Sequence, residues 1–358
     1  MNVNRIKRLV QYSIRKFELD LSGLNVLTEA ATGYYSLTPI IAAVAGAKKV
    51  FALTKDSKYG TTSEVVEMTE NLVHHFELDG SIEILFDRHD SKVSSADIVT
   101  NLGFVRPIKK ELLLQLKETV VIPLMWETWE YRPGDLDIEM CRQMGIPALG
   151  TNERHPDLRT MEFVGHIALK LLYSMDIEVL LSKIVILGSG EFASEVLKKL
   201  KSVGADVCII SPDKNGKLDS ELLFDSIKDV DAMVIAEHHH RNTLIGIEGE
   251  ISPKVIYQHN PALCIAHISG GVNQKSVEDA GLRIIPNKIA PPGYMSIGTD
   301  YVGPKPLIDL HTAGLKVGQL MSEARTKESL SGFEAEMSVI FKNKIAQGFE
   351  GYHYSMTL

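Results

Sequence analysis

The sequence predicts an α/β protein of two doubly wound domains, each a parallel sheet with helices on both faces. Apolar runs of β type alternate with helical stretches along the chain, which is the order that βαβ units produce. The chain has 358 residues, more than one ordinary hydrophobic core holds. A long apolar helical stretch in the middle of the chain separates one series of predicted strands from a second series.

The first series of strands occupies the N-terminal half, with helical stretches between its members. The stretch at 36–46 has Ser36 or Thr38 as a candidate N-cap and Pro39 in its first turn, where proline is tolerated. The predicted strands of this series are 24–28, 49–54, 82–86, 97–101 and 120–125.

The second series begins after residues 158–181, which we predict to form one long, largely buried bridging helix. A loop rich in Gly and Pro follows the last strand, and helical sequence then runs from about residue 307 to residue 344. The predicted strands of the second series are 183–187, 206–210, 232–236, 254–258, 263–268 and 282–286. We therefore predict a first domain over 1–157 that helices in 307–358 complete, and a second domain over 158–306.

The composition limits the classes of function. Hydrophobic residues make up 44% of the chain, so it can bury two cores, and its net charge of -8 argues against nucleic acid and anionic membranes as partners. No run is long and apolar enough to span a bilayer, and the N-terminus lacks a signal-peptide core. Three separated cysteines without metal-ligand spacing suit a reducing cytoplasm, which we predict as the location. They are Cys141, Cys208 and Cys264.

A glycine-rich turn after the strand 183–187 carries the strongest motif. This strand runs into GSGEFA at 188–193 and then into an amphipathic helix. Gly188 permits the tight turn, and Gly190 lets a diphosphate approach the backbone because glycine has no Cβ atom. The first amides of the helix lack partners within the helix and favour an anion. We predict a dinucleotide site here, although a tight turn without a ligand has the same pattern. Its predicted residues are Gly188, Ser189, Gly190, Glu191 and Phe192.

Residues after the next two strands bear on which dinucleotide binds. NAD sites usually have an Asp or Glu at the end of the second strand, which accepts from the ribose hydroxyls. This chain has Ser211 and Lys214 there, which suit the 2′-phosphate of NADP, while Asp213 comes two residues late. We predict NADP or NAD as the cofactor, with NADP preferred. His238, in the histidine run 238–240, is predicted to lie in a loop at the edge of the nicotinamide pocket rather than to bind a metal.

In their order, these elements resemble the D-2-hydroxyacid dehydrogenase superfamily, including its formate/glycerate dehydrogenase-like and S-adenosylhomocysteine hydrolase-like groups. The likeness covers roughly residues 95–320, and the glycine turn is its specific motif. The segments 96–117, 145–172 and 225–246 also look similar to family segments. The resemblance implies a flavodoxin-like first domain that holds the substrate, a Rossmann domain that binds NAD(P), and C-terminal helices that return to the first domain.

The chain departs from that family at the catalytic residues. The family has an arginine after a late Rossmann strand, but neither 257–262 nor 266–273 contains one, and His311 follows a proline-rich loop instead of a strand. We predict His267 as the acid or base, with His259 as the second candidate, because a histidine can pass a proton as hydride moves. Each histidine can equally serve only to hydrogen-bond the end of its strand.

Arg106 follows a strand of the first domain and is predicted to grip an anionic group of the substrate. The segments 126–132 and 152–155 follow later strands and are further candidates to contact a polar substrate. We predict an NAD(P)-dependent oxidoreductase that acts on a small polar, anionic substrate in the cleft between the domains, and a homodimer by analogy with this architecture. The alternatives are an S-adenosylhomocysteine hydrolase-like enzyme that recycles its NAD internally, a non-catalytic dinucleotide-binding protein, which the missing arginine favours, and a methyltransferase built on the first domain.

Overall fold

The computed structural model of the protein describes residues 1–349. The chain divides into two compact units: unit 1 is Met1–Leu158 with the chain from Pro304 onwards, and unit 2 is Arg159–Gly303. The predicted C-terminal segment extends to residue 358, and residues 350–358 lie outside the described residues. Over the described part of the chain, no helix combines the length and the apolar character that crossing a membrane requires.

Strands and helices alternate in three blocks along the chain. The first block of unit 1 contains α1 (Val3–Lys16), β1 (Asn25–Glu29), α2 (Leu37–Val44), β2 (Lys49–Leu53), α3 (Thr62–Phe76), β3 (Ile82–Leu85), β4 (Ile98–Val99), α4 (Lys110–Leu113), β5 (Ile122–Pro123), α5 (Ile138–Gln143) and β6 (Ala148–Thr151). Unit 2 contains α6 (Glu162–Ser174), β7 (Lys183–Leu187), α7 (Gly190–Ser202), β8 (Asp206–Ile210), α8 (Ser220–Ile227), β9 (Ala232–Ala236), β10 (Thr243–Ile245), α9 (Pro253–His259), β11 (Cys264–Ser269), β12 (Gly271–Val272), α10 (Gln274–Asp279) and β13 (Arg283–Ile285). Unit 1 then resumes with α11 (Pro304–Thr326), α12 (Gly332–Lys342) and β14 (Ala346–Gln347).

The sheet of unit 1 has the order β3-β2-β1-β4 followed by β5 and β6, with β14 antiparallel at the β6 edge. An isolated parallel bridge between Ile98 and Val121 joins β4 to the segment of β5. Apolar clusters cover both faces: one includes residues of α1, α2 and α11, and the other includes residues of α4 and α5. Burial on both faces explains why these strands are continuous apolar runs rather than alternating ones.

Unit 2 is a five-stranded parallel sheet in the order β13-β11-β9-β7-β8. Helices α6 and α7 pack on one face, and α8, α9 and α10 pack on the other. The predicted α/β class with doubly wound parallel sheets is therefore confirmed. Because the strands are parallel, the turns after β7, β8, β9 and β11 meet at one edge of the sheet, the edge where such sheets bind ligands.

The two doubly wound sheets have different strand orders. Unit 1 has the order 3-2-1-4-5-6 of a Rossmann sheet, and unit 2 has the order 2-1-3-4-5 of a flavodoxin-like sheet. In unit 2 the reason is local, because no strand forms between β8 and β9. The Asp213 carboxylate accepts backbone N–H bonds from Asn215 and Lys217 and closes a turn, after which Asp219 caps α8.

Two predicted elements of unit 2 are wrong in type or length. The bridging helix predicted over 158–181 is the shorter α6, which ends at Ser174 because the chain then turns through residues with positive φ. The strand predicted over 254–258 is the helix α9, in which Pro253 follows Ser252 at the first helical position. Proline fixes a φ that suits this position, and a short apolar run alone does not distinguish a strand from a helix.

Candidate functional site

The turn between β7 and α7 requires glycine at two positions. A Cβ atom on Gly188 would lie 2.5 Å from the carbonyl carbon of Ala236 in β9, so only glycine lets the two segments pack this closely. Gly190 begins α7 with φ +66°, a left-handed conformation that favours glycine. The side chain of the N-cap residue Ser189 makes no capping bond to α7. The turn therefore presents its backbone and the helix start without a side-chain cap.

A buried carboxylate at the end of β9 holds this turn. The Ser189 hydroxyl donates to Oε2 of Glu237 at 2.6 Å, and the backbone amides of His239 and His240 donate to Oε1 at 2.7 and 3.0 Å. Burial alone raises the pKa of Glu237, but these hydrogen bonds outweigh it and lower the pKa below its usual value. Glu237 is thus an anion that ties the glycine turn to the histidine run.

The imidazoles of the histidine run lie over the glycine turn. The ring of His238 stacks on Phe192 of α7 at 4.2 Å between centroids, and the ring of His239 lies 3.9 Å from that of His238. A Cβ atom on Gly190 would lie 2.6 Å from Cδ2 of His239 and closer still to its Nε2. The predicted residues Gly190, Phe192 and His238 therefore come together, and His239 fills the space beside the glycine.

Residues after β8 form the neighbouring part of the same edge. The Ser211 hydroxyl donates to the carbonyl oxygen of Gly188 at 2.9 Å, which links the end of β8 to the glycine turn. The Asp213 carboxylate is engaged by the amides of its own turn, and these hydrogen bonds lower its pKa. Lys214 is exposed in that turn, and Glu191 lies partly buried in the first turn of α7.

Two properties of this turn suit the diphosphate of a nicotinamide dinucleotide: the glycines at 188 and 190, and the start of α7, which has no side-chain cap. The missing side chain of Gly190 leaves room for the close approach of a phosphate, and α7 supplies amide donors and a favourable dipole. The ring of His239 takes up this room in the structure. Among the described residues, no group of His, Cys, Asp and Glu side chains is placed to hold a metal ion.

His267, predicted as the acid or base, lies in β11 and is completely buried. Its Nδ1 bonds with the Ser296 hydroxyl at 2.9 Å and its Nε2 with the Gly270 carbonyl oxygen at 3.0 Å. Burial lowers the pKa of His267 to about 4, so the ring is neutral near pH 7. The Ser296 hydroxyl also accepts the amide of Ala290 at 2.8 Å. His267 thus pins the loop after β13 to β11, and in this conformation neither ring nitrogen is open to a ligand.

His259, the second candidate, does not follow a strand. It is the last residue of α9, stacks on Phe224 at 4.6 Å, and bonds through Nδ1 to the carbonyl oxygen of Val255 in its own helix. Helix α9 leads into the start of β11, so His259 lies at the amino edge of the sheet, opposite the turn at Gly190. The placement on which its predicted role depended is therefore wrong, because the strand predicted before it is a helix.

Arg106, predicted to grip an anion, lies in unit 1 after β4. Its Nη1 pairs with Oδ2 of Asp135 at 2.6 Å, and its guanidinium lies 5.1 Å from the ring centre of Trp126. The nearby carboxyl of Glu29 is buried, which raises its pKa, and accepts the amide of Phe104 at 2.9 Å. Arg106 is therefore an oriented cation that already has one carboxylate partner.

A carboxyl cluster in unit 1 occupies segments that the sequence marked as candidates. Glu127, after β5, accepts from the Trp129 indole at 2.6 Å and from Nη1 of Arg154 at 2.7 and 2.8 Å. Burial raises the pKa of Glu130 to about 7, and burial followed by the nearby Glu130 and Glu127 raises the pKa of Glu153. The cluster therefore holds one carboxylate paired with arginine and two carboxyls whose pKa values are raised.

His311 does not reach a strand end either. It lies within α11, is buried, and bonds through Nδ1 to the Thr38 hydroxyl at 2.7 Å. Burial lowers its pKa to about 3. Sequence reasoning missed Glu237, whose signal was an acidic residue at the end of an apolar strand, and it named His239 only as part of the histidine run.

Comparisons with known proteins find similarity in fold but not in sequence. No protein-family model matches the chain, and no curated protein sequence matches it. Similar solved structures include a dipicolinate synthase from Bacillus halodurans, with 12% identity, a TM-score of 0.50, and coverage of 82% of this chain and 96% of that one. They also include a dipicolinate synthase from Bacillus subtilis, with 13% identity, a TM-score of 0.53, and coverage of 87% and 99%.

The chain therefore shares the architecture of these two solved structures along most of its length. Identities of 12% and 13% carry the fold alone, so substrate and cofactor have to be argued from the residues of this chain.

Proposed function

We propose that the protein is an NAD(P)-dependent oxidoreductase that transfers hydride to or from a small polar, anionic substrate. The observation that carries the proposal is the β7–α7 turn, in which close packing requires glycine at Gly188 and a left-handed conformation favours it at Gly190. The absence of a side chain at Gly190 opens the start of α7 to a phosphate once the ring of His239 has moved away. Bound NAD(P) would supply the hydride donor or acceptor.

The residues of the turn would hold the cofactor by its diphosphate. The amides at the start of α7, from Gly190 to Phe192, would donate to the phosphate oxygens, as the orphan amides of a helix start do. At the adenosine ribose, Ser211 and Lys214 would contact a 2′-phosphate. The engagement of Asp213 by its own turn supports the preference for NADP over NAD, because NAD sites rely on a free carboxylate there.

Arg106 and His267 keep their proposed roles as anion grip and acid or base, with a condition that the geometry adds. A substrate anion at Arg106 must share the guanidinium with Asp135, which an arginine can do because it carries five N–H donors. His267 can exchange a proton only after one of its bonds, to Ser296 or to Gly270, has opened. His259 has no part in the proposal because of its place at the amino edge.

A non-catalytic dinucleotide-binding protein is the second candidate. It is favoured by the closed hydrogen bonds of His267 and by the segment 270–273, which follows β11 and contains no arginine. Saturable binding of NADPH without turnover of any 2-hydroxy acid or 2-oxo acid would favour this candidate over the enzyme. A homodimer and a cytoplasmic location stay predictions, and light scattering of the purified protein measures the oligomeric state.

The proposed site is tested by Gly190→Ala. We expect this variant to weaken NADPH and NADH binding by roughly tenfold or more, since the added methyl group occupies the approach of the diphosphate and strains the backbone. The matched control is Gly80→Ala, which also has a positive φ, 75°, but has nothing within 4 Å of its Cβ position.

Quenching or enhancement of nicotinamide fluorescence reports the dissociation constants, and circular dichroism verifies that both variants are folded. Equal affinity of Gly190→Ala and wild type would refute the site. Absence of binding by the wild type and by His239→Ala alike would refute the proposed function.

A further inference from the structure

The side chain of His239 occupies the approach to Gly190. Both Cδ2 and Nε2 of its ring lie within the space that a side chain at Gly190 would fill, and Cε1 of His238 lies 3.1 Å from the same Cβ position. A phosphate that approaches the backbone of Gly190 needs this same space. The ring of His239 and a bound diphosphate therefore exclude one another in this conformation.

The position of the ring follows from hydrogen bonds beneath it. Glu237 accepts the amides of His239 and His240 and the hydroxyl of Ser189, so the histidine run and the glycine turn share one buried carboxylate. The ring of His238 lies between those of Phe192 and His239. This stack places the His239 ring beside the start of α7.

The ring of His239 is nevertheless free to leave. His239 is exposed, whereas Glu237 is completely buried, so a change of side-chain rotamer moves the imidazole into solvent while the carboxylate stays in place. Exposed side chains change rotamer within nanoseconds, so the step adds no slow conformational change.

We propose that His239 is a gate on the dinucleotide site, whose imidazole holds the place of the diphosphate until a ligand displaces it. The proposal rests on the proposed function and adds a competing side chain to that site. A ligand with a diphosphate group binds only to molecules in which the ring has swung out, so its apparent dissociation constant is raised in proportion to the closed fraction. Removal of the ring must then tighten binding, whereas removal of an ordinary contact residue weakens it.

The variant His239→Ala tests the gate, with His240→Ala as the matched control. Both variants keep the backbone amides that donate to Glu237, but only the first removes the ring at Gly190. We expect His239→Ala to bind NADPH, NADH and inorganic pyrophosphate about tenfold more tightly than wild type, which corresponds to a site that is open about one-tenth of the time. We expect His240→Ala to stay within about twofold of wild type.

Fluorescence titration measures the dinucleotides, and competition against NADPH measures pyrophosphate. An affinity of His239→Ala equal to or weaker than that of wild type overturns the gate while leaving the proposed function intact, provided that the wild type binds. If neither protein binds any of the three probes, the proposed function fails and the gate fails with it.

A second measurement follows the ring itself. In histidine-labelled wild-type protein, the imidazole signal that is missing from His239→Ala should shift when pyrophosphate is added, because the ring leaves the stack with His238. An unshifted signal at saturating pyrophosphate would overturn the gate.

Discussion

At the scale of single residues, Glu237 organises the candidate site. It is completely buried, and its carboxylate receives one hydroxyl and two amides. Bonds of this kind to an ionised group are stronger than neutral ones, which is why the pKa of Glu237 falls despite burial. The same carboxylate sits by the start of α7 and uses part of the favourable potential that a diphosphate would use.

We predict that Glu237→Gln destabilises unit 2 by about 1–3 kcal/mol, since the amide nitrogen of glutamine cannot accept the bonds that one carboxylate oxygen accepts. Urea denaturation measures this difference, and the exposed Glu248→Gln serves as the control. If the two variants have equal midpoints, Glu237 does not hold the turn.

His267 illustrates how a residue can suit a catalytic role in sequence and a structural role in the fold. Its imidazole reaches neither solvent nor a cleft, because its two ring nitrogens bond to Ser296 and Gly270. We predict that His267→Asn lowers the free energy of unfolding by about 1–3 kcal/mol, because a shorter amide cannot span both partners.

Thermal unfolding followed by circular dichroism checks the stability of His267→Asn. A loss of turnover in the folded variant, with unchanged binding of NADPH, would support the acid–base role. Unchanged stability and unchanged turnover together would remove His267 from both roles.

At the scale of elements, sequence reasoning succeeded where a local rule decides the outcome. The strand β7, the turn at Gly188 and Gly190, and helix α7 follow from an apolar run, two glycines and an amphipathic stretch that are adjacent in the chain. The helix α9 was predicted as a strand, because its short apolar run fits both periods; the local signal for a helix is Pro253 after Ser252 at its start.

Only the part of the candidate site that depends on local sequence was predicted. The glycines were identified from their local pattern, whereas the bond between Ser189 and Glu237 joins residues from two different strand ends. The contact of His239 with Gly190 likewise depends on how β9 and β7 pair. The local sequence pattern does not show which strands pair, so these two contacts could not be predicted without the structure.

Helix α12 carries a buried carboxyl that makes unit 1 sensitive to pH. Burial raises the pKa of Glu336 from 4.5 to about 7, while the Ala148 amide, which donates to it at 2.8 Å, partly opposes the shift. Because the folded pKa exceeds the unfolded one, the folded state holds the proton more tightly. The contribution of Glu336 to the free energy of unfolding is fully present below about pH 4.5, and it is lost as the pH rises towards and through 7.

We predict that Glu336→Gln removes this pH dependence, since glutamine keeps the acceptor for Ala148 and never ionises. Glu336 titrates roughly between pH 5 and pH 8. Over this range the free energy of unfolding of the wild type should fall by up to about 3 kcal/mol relative to that of the variant. Urea denaturation at both pH values measures the loss, and the exposed Glu67→Gln should follow the wild type. A constant difference between wild type and Glu336→Gln at the two pH values would contradict the prediction.

At the scale of the whole molecule, the chain has two doubly wound units whose parallel sheets place chemistry-bearing side chains after their strands. In unit 2 these are Ser189, Ser211 and Glu237, and in unit 1 they include Arg106 and Glu127. The fold is shared with the two dipicolinate synthases, but the catalytic arginine that the family resemblance implied is missing from the segment after β11. Dinucleotide binding is therefore the claim on which the account depends.

Isothermal titration calorimetry of the wild type and His239→Ala with NADPH and NADH tests that claim most directly. The account predicts one saturable site per chain, a preference for NADPH, and tighter binding by the variant. Flat titrations for both proteins with both nucleotides would contradict it.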